Sequence, residues 1–294
     1  MKNEDRDFIP RLGSGELPDL SDYTVIGPDD FQRGCELWNA RMPSEYENLL
    51  YARVVGERDH QFTVEQRGDW RFLANVQRYR NSKSGLVVNA PRFVQLRDDF
   101  TDALHADAES LCVSMVDRDI TLHVWVERMA RLIQEAHLTL FMLGSGGYNT
   151  IDSEGIVVLE RTLDHQFALL RDYAQRILHR NVPPEQQRVF ELGRRILRRG
   201  VINRGIMFIE AATQSGERGR TVSYGFHPDI LPHYPGDGST ECLWRCRCHW
   251  RLRFPRGQNS FYYAFWRLKR RDAGNCGTCL VYAEQYNPYI VVRF

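Results

Sequence analysis

The sequence predicts an α+β chain, a mainly helical bundle followed by a small β-rich Cys/His module of the zinc-binding type. Three observations carry this. Between Asp119 and about residue 213, apolar residues recur at three- to five-residue steps, the period of amphipathic helices. After Gly216 the texture changes: Gly225, Pro228, Pro232, Pro235, Gly236 and Gly238 argue against long helices. Five of the seven cysteines then fall between 242 and 279. The expected organisation is an irregular arm over 1–43, a helical domain over 44–216, and a cysteine-rich β module with its tail over 217–294.

Taken in order, residues 1–28 are broken by Pro10, Gly13, Gly15, Pro18, Gly27 and Pro28. Pro28-Asp29-Asp30 is a helix start, with Phe31, Cys35 and Trp38 following at helical spacing. Ser44 is read as the cap of a second helix that places Tyr46, Leu49, Leu50 and Val54 on one side. Gln61–Val64 and Gly85–Val88 are strand candidates, and Pro91 closes that region. Residues 97–116 read as a helix with Phe100, Leu104, Leu111 and Met115 among its apolar positions.

Asp119 is the expected cap of a long helix carrying Trp125, Met129, Leu132, Ala136 and Leu140, which ends at Gly144-Ser-Gly-Gly147. That glycine run lacks the Lys-Ser/Thr of a phosphate-binding loop, so it reads as a helix C-cap and loop. The next helix, about 155–180, aligns Leu159, Leu163, Phe167, Leu170 and Ala174. Pro183-Pro184 separates it from another, about 185–213, with Val189, Leu192, Ile196 and Ile206 inward and Arg194, Arg195, Arg198, Arg199 and Arg204 opposite. Long helices joined by short breaks pack as a bundle. In the module, 244–254 and Phe261–Trp266 suggest a hairpin, and Tyr289–Phe294 a strand or extended arm.

The cysteines carry the chemistry. Cys242-Leu-Trp-Arg-Cys246-Arg-Cys248-His249, followed by Cys276-Gly-Thr-Cys279, offers up to six soft ligands, of which a zinc ion takes four. A tight turn at Gly277-Thr278 would aim both flanking sulfurs at one point. Cys242, Cys276 and Cys279 are the firmest ligands. The fourth is Cys246 or Cys248, with His249 in reserve, because side chains two apart on a strand share a face. One structural zinc ion is the expected occupant; disulfides, or reduced thiols lining a small core, are the alternatives. Met1–Asp7 offers no apolar core for a secretory signal, so a reducing cytoplasm is expected, and that favours metal over disulfide.

Charge adds a second theme. The net charge is +1, which excludes a global polyelectrolyte attraction. Locally, residues 1–30 hold eight acids and three bases, whereas 241–271 holds nine bases and one acid, Glu241. Arg245, Arg247, Arg251, Arg253, Lys269, Arg270 and Arg271, interleaved with Trp244, Trp250, Tyr262, Tyr263 and Trp266, are candidate nucleic-acid contacts. The other reading makes those aromatics the core of the module and the arginines the counterweight to the thiolates. No apolar run approaches the roughly 18 residues that cross a membrane. Catalytic constellations are thin: no Gly-x-Ser-x-Gly, His-Glu-x-x-His or Walker motif occurs, and no enzymatic activity is expected.

Two stretches carry a resemblance. His233-Tyr-Pro-Gly-Asp-Gly-Ser-Thr-Glu-Cys-Leu-Trp-Arg-Cys-Arg-Cys-His-Trp250 with Asn275-Cys-Gly-Thr-Cys279 resembles the C-terminal cysteine module of phage and prophage head proteins. The broad family is the minor head (head morphogenesis) proteins of tailed phages. Glu135–Leu138, Leu143–Gly147 and Asp164–Ala174 are similar to the helical part of the same proteins. The resemblance spans about 135–280. It implies a non-enzymatic virion component near the portal or inner capsid, assembled in the host cytoplasm, with other capsid or portal subunits and packaged DNA as partners. The alternative is a zinc-dependent nucleic-acid-binding protein acting through its basic, aromatic C-terminal module.

Overall fold

A computed structural model describes residues 17–56, 68–178, 187–253, 261–269 and 274–292, with side chains omitted for 187–197 and Trp244. The helical part begins with α1 (Pro28–Arg41), the helix expected from Pro28-Asp29-Asp30, although it falls within the 1–43 span assigned to the irregular arm. Pro28 occupies its first turn, and the Asp30 carboxylate accepts the Gly27 N–H at 2.7 Å, so local chemistry fixes the start. The remaining helices are α2 (Ala90–Val116), α3 (Leu122–Ser145), α4 (Ser153–Leu178), α5 (Gln187–Glu210) and α6 (Thr213–Ser223). The α+β class and the helical bundle stand.

Several boundaries differ from expectation. α2 starts seven residues before 97, because Pro91 sits in its first turn, where a missing N–H costs nothing, and Asn89 caps it by accepting from Arg92 N at 3.1 Å. α3 is capped by Thr121 rather than Asp119. The helix expected from Ser44 is instead two short 3₁₀ turns, Ser44–Tyr46 and Leu49–Tyr51, split by Asn48 in a left-handed conformation.

From there the chain enters a four-stranded sheet of which the sequence showed only the last strand. β1 (Arg53–Val55) pairs parallel with β2 (Trp70–Leu73), which pairs antiparallel with β3 (Arg78–Asn81), which pairs with β4 (Val87–Val88). Each strand buries only one or two side chains (Val54, Trp70, Phe72, Tyr79, Val88), too few for a visible alternation. β4 matches the candidate at 85–88, and Gln61–Val64 lies outside the described residues.

α3 is the hub. From Ala136 through Tyr148 every residue is buried, so the second half of α3 is enclosed on all sides, polar His137, Thr139 and Ser145 included. α1, α2, α4 and α6 pack around it. Leu163 and Leu170 of α4 are fully buried, as their stripe predicts. In α5, the side chains of Val189, Leu192 and Ile196 lie outside those described; Ile206 is only partly buried, and Val201, Phe208 and Ile209 face the core. Gly146 caps α3 in the left-handed region, as expected, but Gly144 is still helical. It is needed there because a Cβ would stand 2.1 Å from the carbonyl oxygen of Gly216, and one on Gly219 would stand 2.3 Å from that of Phe141. α3 and α6 therefore cross at backbone contact. This explains how α6, a run of Thr, Gln, Ser, Gly, Glu and Arg with weak helix propensity, forms across the point where long helices were expected to stop.

Two buried clusters result. One joins residues from Leu20 to Val222; the other joins Phe226 to Val291. The second holds β5 (His249–Arg253), β6 (Phe261–Arg267), α7 (Gly277–Gln285) and β7 (Tyr289–Val292), with β5-β6-β7 one antiparallel sheet. The expected hairpin and final strand are present. Trp250 and Trp266, cross-strand partners, meet edge to face at 5.2 Å and are fully buried.

Candidate metal centre

The thiols come from two segments. Cys242 precedes a 3₁₀ turn, Leu243–Arg245, and Cys246 and Cys248 lie on the extended approach to β5. Cys276 is the N-cap of α7, and its Sγ accepts the Cys279 N–H at 3.5 Å. The expected tight turn at Gly277-Thr278 is therefore the first turn of a helix, whose unsatisfied N–H groups favour thiolate over thiol. The Glu241 carboxylate accepts the Gly277 N–H at 3.0 Å and fixes this turn against the strand segment.

Cys242, Cys246 and Cys279 place their sulfurs within 4.8 Å of one another, and Cys246 Sγ stands 3.5 Å from Cys279 Sγ. A tetrahedral site with Zn–S bonds of about 2.3 Å separates its sulfurs by roughly 3.8 Å. A disulfide needs about 2.05 Å, so the spacing suits a shared cation, and all seven cysteines are free. Cys248 and Cys276 stand outside this trio but beside it, close enough to shift the thiols of Cys279 and Cys242. The protons are unevenly held. Hydrogen bonds with Cys246 and then Cys279 hold Cys248 down, to about 4, while Cys246 and Cys248 push Cys279 up. Burial raises Cys242 to about 11. His249, the reserve ligand, is not in the cluster; burial lowers its imidazole to about 3, and its Nδ1 has no partner.

The centre is fastened to the bundle by buried charge. Arg97 on α2 is fully buried and ion-paired at 2.8 Å with Glu217 on α6, itself 1% exposed. Arg97 also donates to the carbonyls of Cys248 at 3.3 Å and Arg247 at 3.2 Å. The second Glu217 oxygen takes Arg220 at 3.1 Å and the Trp250 N–H at 3.3 Å, and Arg220 donates to the Trp250 carbonyl at 2.8 Å. Two acids hold the neighbouring arginines: Arg247 pairs with Asp102 and, at 3.3 Å, with Glu210, which also takes Arg245 at 3.2 Å.

Of the proposed nucleic-acid contacts, Arg247 is therefore buried in ion pairs and Arg245 is engaged with Glu210. Arg251, Arg253 and Lys269 are exposed, while Arg270 and Arg271 lie outside the described residues. Trp250, Tyr262 and Trp266 are core, whereas Tyr263 is on the outer face. Sequence reasoning missed Arg97, Glu217 and Glu210. Arg97 left a trace: it continues the apolar row Phe93, Phe100 and Leu104 at helical steps, a position where a solvated charge does not belong. Compared with known proteins, the chain matches no family model, no curated protein and no solved structure.

Proposed function

We propose that this chain is a non-enzymatic structural protein of a tailed phage or phage-like particle, a minor-head or portal-proximal component. In this reading its C-terminal module is held closed by one structural zinc ion. The observation that carries it is the convergence of Cys242, Cys246 and Cys279 on one point, in a module pinned to α2 and α6 through Glu217. Soft thiolates in tetrahedral reach favour zinc. Cys242, Cys246 and Cys279 supply three ligands and Cys276, the N-cap of α7 that accepts the Cys279 N–H, the fourth; Cys248 remains as a neighbouring thiol. The chemistry such an ion supplies is a cross-link. The resemblance of His233–Cys279 to phage head proteins gives the setting.

A role without catalysis is supported by the fate of the Ser215–His137 contact. His137 Nδ1 and Ser215 Oγ are 2.7 Å apart, but both residues have no exposure, and His137 Nε2 has no partner to orient it. The pair joins α3 to α6 and has no access to substrate.

Elemental analysis of the purified chain tests the metal, with about one equivalent of zinc expected. Co-expression with portal and capsid proteins tests the setting: the chain should co-sediment with particles. Retention as a free monomer that turns over a small substrate would overturn the assignment.

A further inference from the structure

The sheet β5-β6-β7 has two faces of opposite character. Its inner face is the core around Trp250, Tyr262 and Trp266. Its outer face carries Phe261, Tyr263 and Phe265, alternate residues of the central strand, all partly exposed. Their rings follow one another at 5.5 and 6.5 Å. Beside them on β5 stand the exposed Arg251 and Arg253, cross-strand partners of Phe265 and Tyr263, and Arg267 closes the row. The guanidiniums of Arg267 and Arg253 lie 5.0 and 5.8 Å from the Phe265 ring centre.

We propose that this face binds single-stranded nucleic acid, with bases stacking on Phe261, Tyr263 and Phe265 and phosphates held by Arg251, Arg253 and Arg267. Three arguments support that occupant. First, a row of partly exposed aromatic rings on the middle strand of a sheet, each tilted to the next, offers sequence-tolerant stacking partners to unpaired bases, which a duplex keeps to itself. Second, the charge is one-sided: residues 249–253, 261–269 and 289–292 contain no acid. Among the described residues, Arg251, Arg253 and Arg267 form no ion pair, unlike Arg245 and Arg247 beside them. Third, the competing occupant, a second copy stacked face to face on this sheet, would bury these arginines against a surface whose strands carry no acid, and unpaired charges at an interface are costly. The inference depends neither on the particle assignment nor on the metal.

The test is fluorescence anisotropy of the full chain with a labelled oligothymidylate of about 16 nucleotides, against a duplex of the same length. Expected are preference for the single strand and a log–log salt slope that weakens by about 0.7 for each phosphate-binding arginine removed. Phe265→Ala and Tyr263→Ala should each weaken binding about 5- to 150-fold. Arg253→Glu, at an exposed position that leaves the core intact, should weaken it at least tenfold, with zinc content and melting temperature unchanged. Equal binding of duplex and single strand, or Phe265→Ala binding like the parent, would overturn the proposal. So would a dimer in sedimentation that Phe265→Ala dissolves.

Discussion

Replacing Glu217 by glutamine removes one negative charge and almost no volume. In the folded chain that charge serves two buried guanidiniums, Arg97 at 2.8 Å and Arg220 at 3.1 Å, and the backbone N–H of Trp250 at 3.3 Å. Removing one partner of a buried ion pair costs about 3–5 kcal/mol, because the remaining charge keeps its desolvation penalty. Arg97 retains Asp98 at 2.8 Å, so the loss belongs at the lower end, about 3 kcal/mol. For a chain of 294 residues that lowers the melting temperature by roughly 5 °C. Calorimetry on Glu217→Gln, Arg97→Met and the double variant measures it. The double variant should be less destabilised than the sum of the singles by at least about 1 kcal/mol. Strict additivity, or a Glu217→Gln protein within about 0.5 kcal/mol of the parent, would refute the idea that Glu217 fastens module to bundle.

Three further outcomes are expected. Gly144→Ala should destabilise by about 1–3 kcal/mol or more, since its methyl would collide with the Gly216 carbonyl, and urea unfolding would show it; an unchanged midpoint would mean that α3 and α6 do not cross at backbone contact. His137 is held neutral, its imidazole lowered from 6.5 to about 3 by burial. The unfolded chain then binds the extra proton, so His137 contributes stability above pH 6.5 that falls by about 1.4 kcal/mol per unit as pH drops toward 3; His137→Gln should flatten the stability–pH curve over that window, and an unchanged slope would sink the argument. Cys248→Ser should keep its zinc, while Cys242→Ser and Cys279→Ser should lose it and melt earlier; elemental analysis distinguishes these, and zinc loss from Cys248→Ser alone would exchange its role with that of Cys276.

What the sequence disclosed followed the length of its signals. α3 and α4 each carry several turns of consistent stripe, and Leu163 and Leu170 are buried as that stripe requires. The cysteine spacing marked the centre, but its ligand geometry depends on α7, a helix disguised by Gly277 at its first position. Of the N-terminal sheet only β4 was legible; β3 was not, because Arg78-Tyr-Arg-Asn81 buries a single side chain, Tyr79, whose hydroxyl donates to the Leu143 carbonyl. α6 was illegible for the opposite reason. Its composition reads as loop, and only the glycine-to-backbone fit against α3 and the charge on Glu217 make it a buried helix.

A helix so polar cannot shed water until every partner is present. α6 finds α3 and α2 within the first 223 residues, but the carbonyls of Cys248 and Trp250, which close over Arg97 and Arg220, come later in the chain. A protein shortened after Ser223 would expose its strongest internal charges on an unfinished face and should expand or aggregate rather than persist as a bundle. Completion of the bundle thus waits on the module, and a defect in the module would lower the yield of the whole molecule, not of its last segment alone.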